Sequence, residues 1–171
     1  MRARTFDGRA LVLAFATLTT AASVAAAQRD IRPRPRAEAR VDYLGPNPKS
    51  VQAGLGVNIP LGMYVRLAIV GAGGASWQDG ESGASARGDV IARFSFDPFR
   101  ERRWGLSAGG GLSVRYDESL AASGDRWRAL IAIVLDLEGP LVGPVTPALQ
   151  VGLGGGVRVG LILRGGDRFR R

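Results

Sequence analysis

Few residues in this chain could do chemistry. Its 171 residues include no Cys and no His, which removes thiolate nucleophiles, imidazole general bases and zinc sites built on either. Two close pairs of carboxylates remain, Asp79 with Glu81 and Asp117 with Glu118. Such pairs can do acid–base work or hold a hard cation. Both fall in or beside polar, Gly- and Ser-rich stretches, residues 72–85 and 118–125, where acids are ordinarily just solvated. The glycine runs at 109–111 and 154–156 have no helix after them to form a phosphate-cradling loop. The expectation is therefore no catalytic residue, no metal ligand set and no cofactor, with Asp79 and Glu81 the candidates if there is a loop enzyme. The chain's remaining chemistry is ion pairing.

That pairing follows a period of two. Residues 86–97 place Arg87, Asp89, Arg93 and Asp97 on one side and Ala86, Gly88, Val90, Ala92, Phe94 and Phe96 on the other. Residues 104–117 repeat the pattern, with Arg115 and Asp117 opposite Trp104, Leu106, Leu112, Val114 and Tyr116. Successive side chains of a strand point to opposite faces, so these two stretches and the turn between them form a β-hairpin with one apolar face and one small, polar or charged face.

The same alternation recurs along the chain, at 37–44, 51–59, 61–69, 126–138 and 145–163. Turn chemistry separates the segments: Gly45-Pro46-Asn47-Pro48, Pro60, residues 98–102, and Gly139-Pro140 to Gly143-Pro144. Breaks at Ile59-Pro60-Leu61 and at Gly154-Gly155-Gly156 preserve the phase of the alternation. The expectation is eight antiparallel strands, with six as the alternative if those two breaks are bends within longer strands. Residues 72–85 and 118–125 read as long polar loops, so that short and long connections alternate.

A barrel with this pattern can be soluble, with its apolar face inside, or transmembrane, with its apolar face on lipid and its polar face on the lumen. The aromatics favour the second. Phe94, Phe96, Phe99 and Trp104 cluster at one end of the central hairpin, with Tyr116 and Trp127 at the other, as two interfacial girdles do. The charges favour it too. The polar face carries eight arginines (Arg40, Arg66, Arg87, Arg93, Arg115, Arg128, Arg158, Arg164) and seven acids (Glu38, Asp42, Asp89, Asp97, Asp117, Asp136, Glu138). Near balance is what a closed lumenal ion-pair network requires, because an unpaired charge there is costly.

The ends read differently. Residues 1–27 have a basic start (Arg2, Arg4, Arg9), an Ala- and Leu-rich run and Ala25-Ala26-Ala27 before Gln28, the pattern of a cleaved export signal. Residues 28–36 (QRDIRPRPR) form a basic extended tail, residues 37–164 the barrel and 165–171 a second basic tail. The net charge of +8 rests on arginine, with Lys49 the single lysine. Nucleic acid is disfavoured as a partner, since the arginines are spread through strands without stacking aromatics beside them.

With an export signal, alternating strands and aromatic girdles, the chain resembles small eight-stranded outer-membrane β-barrel proteins. Arg158-Val159-Gly160-Leu161-Ile162-Leu163 has the polar-x-Gly start of that group's terminal strand, while the last residues, GGDRFRR, depart from its aromatic end. The resemblance implies an up-and-down transmembrane barrel in a Gram-negative outer membrane. Membrane lipid and the insertion machinery are the implied partners, and catalysis is often absent. The expected function is a structural, surface-interaction or narrow-pore role with an ion-paired lumen and an unidentified partner at the long loops. The alternative is a soluble periplasmic lipocalin-like barrel holding an apolar ligand. A loop enzyme using Asp79 and Glu81 is a third, weaker reading.

Overall fold

The computed structural model describes residues 34–46, 48–97, 103–118 and 126–165. The expected export signal, most of the basic tail at 28–36, Phe99 and the C-terminal tail lie outside the described residues. Among those described, eight strands follow in order: β1 Arg36–Gly45, β2 Lys49–Pro60, β3 Val65–Gln78, β4 Glu81–Ser95, β5 Gly105–Asp117, β6 Trp127–Glu138, β7 Val145–Leu153 and β8 Val157–Gly165. Each pairs antiparallel with the next, and β1 pairs antiparallel with β8 to close the barrel. Closure leaves no edge strand. The six-strand alternative is set aside, because the chain reverses at both phase-preserving breaks. At 154–156, Gly155 and Gly156 have φ of +73° and +131°. At 61–64 the chain turns after Pro60, which ends β2 opposite Arg66. This turn is four residues rather than the three expected around Pro60.

Residues 72–85 are not a loop. β3 and β4 run through them in unbroken register from Val65↔Phe94 to Gln78↔Glu81. The reversal is the two-residue turn Asp79-Gly80, with φ of +51° and +88°. Two central residues with positive φ match the right-handed twist of the flanking strands, and Asp-Gly is the dipeptide that adopts this turn readily. Small residues on both faces hid the alternation here. The expected pattern of short and long connections is corrected with it. The turns opposite the chain ends, at 46–48, 79–80 and 154–156, are among the shortest in the barrel, leaving 118–126 as the long connection at that end.

Burial follows the strand period. β1 reads as strict alternation, with Arg36, Glu38, Arg40, Asp42 and Leu44 buried and Ala37, Ala39, Val41 and Tyr43 exposed. The other strands continue the pattern, so that the interior is largely polar and the exterior apolar. Leu55 is 72% exposed and Ile131 75%, whereas Asp42, Asp117 and Asp136 are fully buried. A buried apolar layer remains within the lumen, where Ala68, Ile91, Ala132 and Val134 pack together.

Candidate functional site

The lumen is where this chain concentrates its polar chemistry, and β1 supplies four of its charged groups from alternate positions, Arg36, Glu38, Arg40 and Asp42. Arg40 makes a two-pronged contact with Asp42, Nε to Oδ2 at 2.7 Å and Nη2 to Oδ1 at 2.8 Å. Its Nη1 donates to Glu38 at 3.1 Å. Asp42 also pairs with Arg87, and Arg87 Nε lies 3.1 Å from Asp89. Arg158 and Ser113 donate to Asp89 at 2.8 and 2.7 Å. The chain of contacts therefore crosses from β1 to β4, β5 and β8. Such two-pronged guanidinium–carboxylate contacts are the strong and directional form of the ion pair.

Toward the end that holds the chain termini, Glu38 accepts hydrogen bonds from Asn58 at 2.6 Å, Arg93 at 3.2 Å and Arg164 at 3.3 Å. Arg164 also donates to Asp136 at 2.9 Å and to Glu138 at 2.5 Å. Arg93 Nε lies 3.2 Å from Asp136. Toward the opposite end, Asp117 is held by Arg115 Nε at 2.7 Å, Arg128 Nη2 at 2.8 Å and Ser85 Oγ at 2.8 Å. Gln52 donates to Ser85 at 2.6 Å.

Arg40, Arg87, Arg93, Arg115, Arg128, Arg158 and Arg164 thus all meet carboxylates. Arg66 does not. It lies inward at the start of β3, half-buried, and no carboxylate pairs with it among the described residues. Asp97 lies past the end of β4, at the mouth rather than within the lumen. Gln150 and Asn58 were passed over in the sequence because neutral amides carry no charge signal. Their inward parity was the available clue. Gly160 shows how tightly the lumen is filled, since a Cβ there would lie 2.1 Å from Asp42 Oδ1.

The exterior carries the aromatics. At the termini end, Tyr64 stacks on Phe94 with ring centroids 5.6 Å apart, and Phe94 meets Phe96 edge-on at 5.8 Å. Trp104 is exposed at the same end. At the other end Tyr116 and Trp127 lie 5.0 Å apart, with Tyr43 and Trp77 also outward and exposed. Tyr64 shares the sequence parity of the polar face, but it sits in the turn between β2 and β3, where parity lapses. Trp77 had been assigned to the supposed loop. The strand positions facing outward are apolar or small from end to end, apart from Lys49 and Ser82 at the strand starts near the far rim. Among the described residues, no group of three acids, His or Cys stands ready for a metal.

No protein-family model and no curated protein matches the chain. Solved structures do. The N-terminal β-barrel domain of Pseudomonas aeruginosa OprF matches over 78% of this chain and 97% of that one, at 14% identity and a TM-score of 0.54. A de novo designed protein, TMB2.3, matches over 82% of this chain and 99% of that one, at 10% identity and a TM-score of 0.54. The shared feature is the fold. That fold is all-β, antiparallel, up-and-down, closed and eight-stranded.

Proposed function

We propose that the chain is a non-enzymatic membrane β-barrel of the outer membrane, with a structural role and a lumen closed by ion pairs. The observation that carries this reading is the inversion of the barrel. Leu, Ile, Val and aromatic side chains cover the outside, a contiguous apolar surface far beyond what a soluble monomer tolerates. The strands span 9 to 15 residues, against the roughly 9–11 needed to cross a bilayer at a tilt. Two aromatic bands sit where the interfaces would be.

A closed lumen is favoured over a narrow pore. The buried pairs and the packed apolar layer of Ala68, Ile91, Ala132 and Val134 leave no continuous water path in this reading. Export through the N-terminal signal, contact with membrane lipid and use of the insertion machinery belong to the same proposal. The termini end faces the side of entry, because three of the four turns that must cross are only two or three residues long. A surface partner has little but 118–126 to engage.

One reconstitution tests both parts. In vesicles containing brominated lipid, emission from Trp77, Trp104 and Trp127 should be strongly quenched, and planar bilayers should show no steady conductance. A folded protein that stays soluble without detergent and is not quenched would overturn the membrane reading. Large steady single-channel currents would overturn the closed lumen alone.

A further inference from the structure

The termini-side mouth of the lumen holds an arrangement that the ion-pair network does not explain. Arg66 on β3 stands directly opposite Arg93 on β4 in the strand register. Like charges so placed repel. Across its other strand Arg66 faces Pro60, which offers no partner. Arg93 is committed to Glu38 and Asp136, whereas Arg66 pairs with no carboxylate among the described residues. The barrel gives Arg40, Arg87, Arg93, Arg115, Arg128, Arg158 and Arg164 a carboxylate each and leaves Arg66 half-buried on the rim.

Beside it is a cavity of about 20 Å³ into which Arg66, Arg93 and Arg164 all face. The hydroxyl residues Ser95 and Ser107, opposite each other across β4 and β5, also line it, as do the carboxylates of Asp97 and Glu138. The volume fits one oxygen-sized group. Arg93 and Arg164 are already matched by Glu38, Asp136 and Glu138, so the guanidinium at this mouth without a carboxylate among the described residues is that of Arg66. Guanidinium forks match the paired oxygens of phosphate in geometry and charge.

We infer that this mouth binds the oxyanion of a phosphate group in a singly charged form. One oxygen enters between Arg66 and Arg93, and the rest of the group stays at the rim. The neighbouring Tyr64, Phe94, Phe96 and Trp104 put the mouth at the level where a membrane interface would lie. Two sources therefore share the chemistry: the phosphodiester of an anionic lipid headgroup and free monobasic phosphate. The lipid source rests on the membrane reading above; binding of the free ion does not.

The test is denaturant unfolding of the detergent-refolded protein, with and without inorganic phosphate at matched ionic strength in chloride. Wild type should unfold at a higher midpoint with phosphate. Arg66→Gln should lose that shift, and in phosphate-free buffer it should be no less stable than wild type, because the repulsion with Arg93 is gone. Calorimetric titration should show affinity about tenfold or more weaker in the variant, as expected for a lost charge-assisted contact. Phosphatidylcholine vesicles with and without phosphatidylglycerol make the second arm. A wild-type midpoint raised by phosphatidylglycerol and not in Arg66→Gln assigns the headgroup. A shift with inorganic phosphate alone assigns the free ion. A shift with neither probe, or equal shifts in both proteins, overturns the site, while tryptophan quenching by brominated lipid would still report on the membrane reading separately.

Discussion

Asp42 links lumenal contacts of two strands, joining Arg40 of β1 to Arg87 of β4 across the barrel. Its carboxylate has no access to water, so its attraction for both guanidiniums is little screened, and its removal leaves them short of a countercharge. Asp42→Asn should cost about 3–5 kcal/mol, the range for breaking one side of a buried pair, read from urea unfolding in vesicles. A loss below about 1 kcal/mol would mean that Arg40 and Arg87 recover enough from Glu38 and Asp89 for the contact to be dispensable. Parity placed Asp42 inward from the sequence alone, because charge and period agree along β1. The partners were not legible. That Arg87 meets Asp42 across the barrel while Arg66 finds no acid depends on the stagger between strands, which no single strand records.

At the scale of the element, the β3–β4 hairpin shows what local chemistry decides. Asp79-Gly80 at φ of +51° and +88° is the turn, and fourteen residues of β3 and fifteen of β4 hang from it. Gly80→Val should destabilise the barrel by roughly 1–2 kcal/mol, the steric cost of a side chain in the left-handed region, while an exposed change such as Glu81→Gln should have little effect. Equal unfolding midpoints for Gly80→Val and wild type would show that the turn can relax. The Asp-Gly signal was present in the sequence, but composition outweighed it. Alternation between alanine and glycine has almost no hydrophobic contrast, so strands built of small residues read as loops. β5, β6 and β4 from Ala86 onward, with Phe, Ile and Leu set against Arg and Asp, were legible.

Across the whole molecule, what distinguishes this barrel is which face is wet. Period two is the same for a soluble and a membrane barrel, so the strand pattern alone left the choice open. Aromatic bands and charge balance tilted it, and the outward Leu, Ile and Val of the closed barrel now carry the proposal. Ile131 lies mid-strand on β6 and is 75% exposed. Ile131→Arg should cost about 2–4 kcal/mol in vesicles, as expected for a cation facing lipid near the bilayer midplane. A barrel whose exterior faced water would gain solubility from the same change and lose no stability, so unfolding in lipid separates the two cases.

The closing seam has a consequence for how the chain acquires its structure. Seven of the eight strand pairings join chain neighbours, and only β1 with β8 brings the ends together. Contacts so far apart in sequence carry the largest closure entropy and form late. Yet β1 supplies Glu38 and Asp42, the acids that neutralise arginines of β4 and β8. Until the seam shuts, those cations lack the β1 share of their counterions, keeping only Asp89, Asp136 and Glu138, and an open sheet exposes them together with two unsatisfied edges. Assembly is thereby made all-or-none: partly zipped intermediates are penalised twice, by charge and by unpaired backbone, and the last pairing to form is the one that makes the others tolerable.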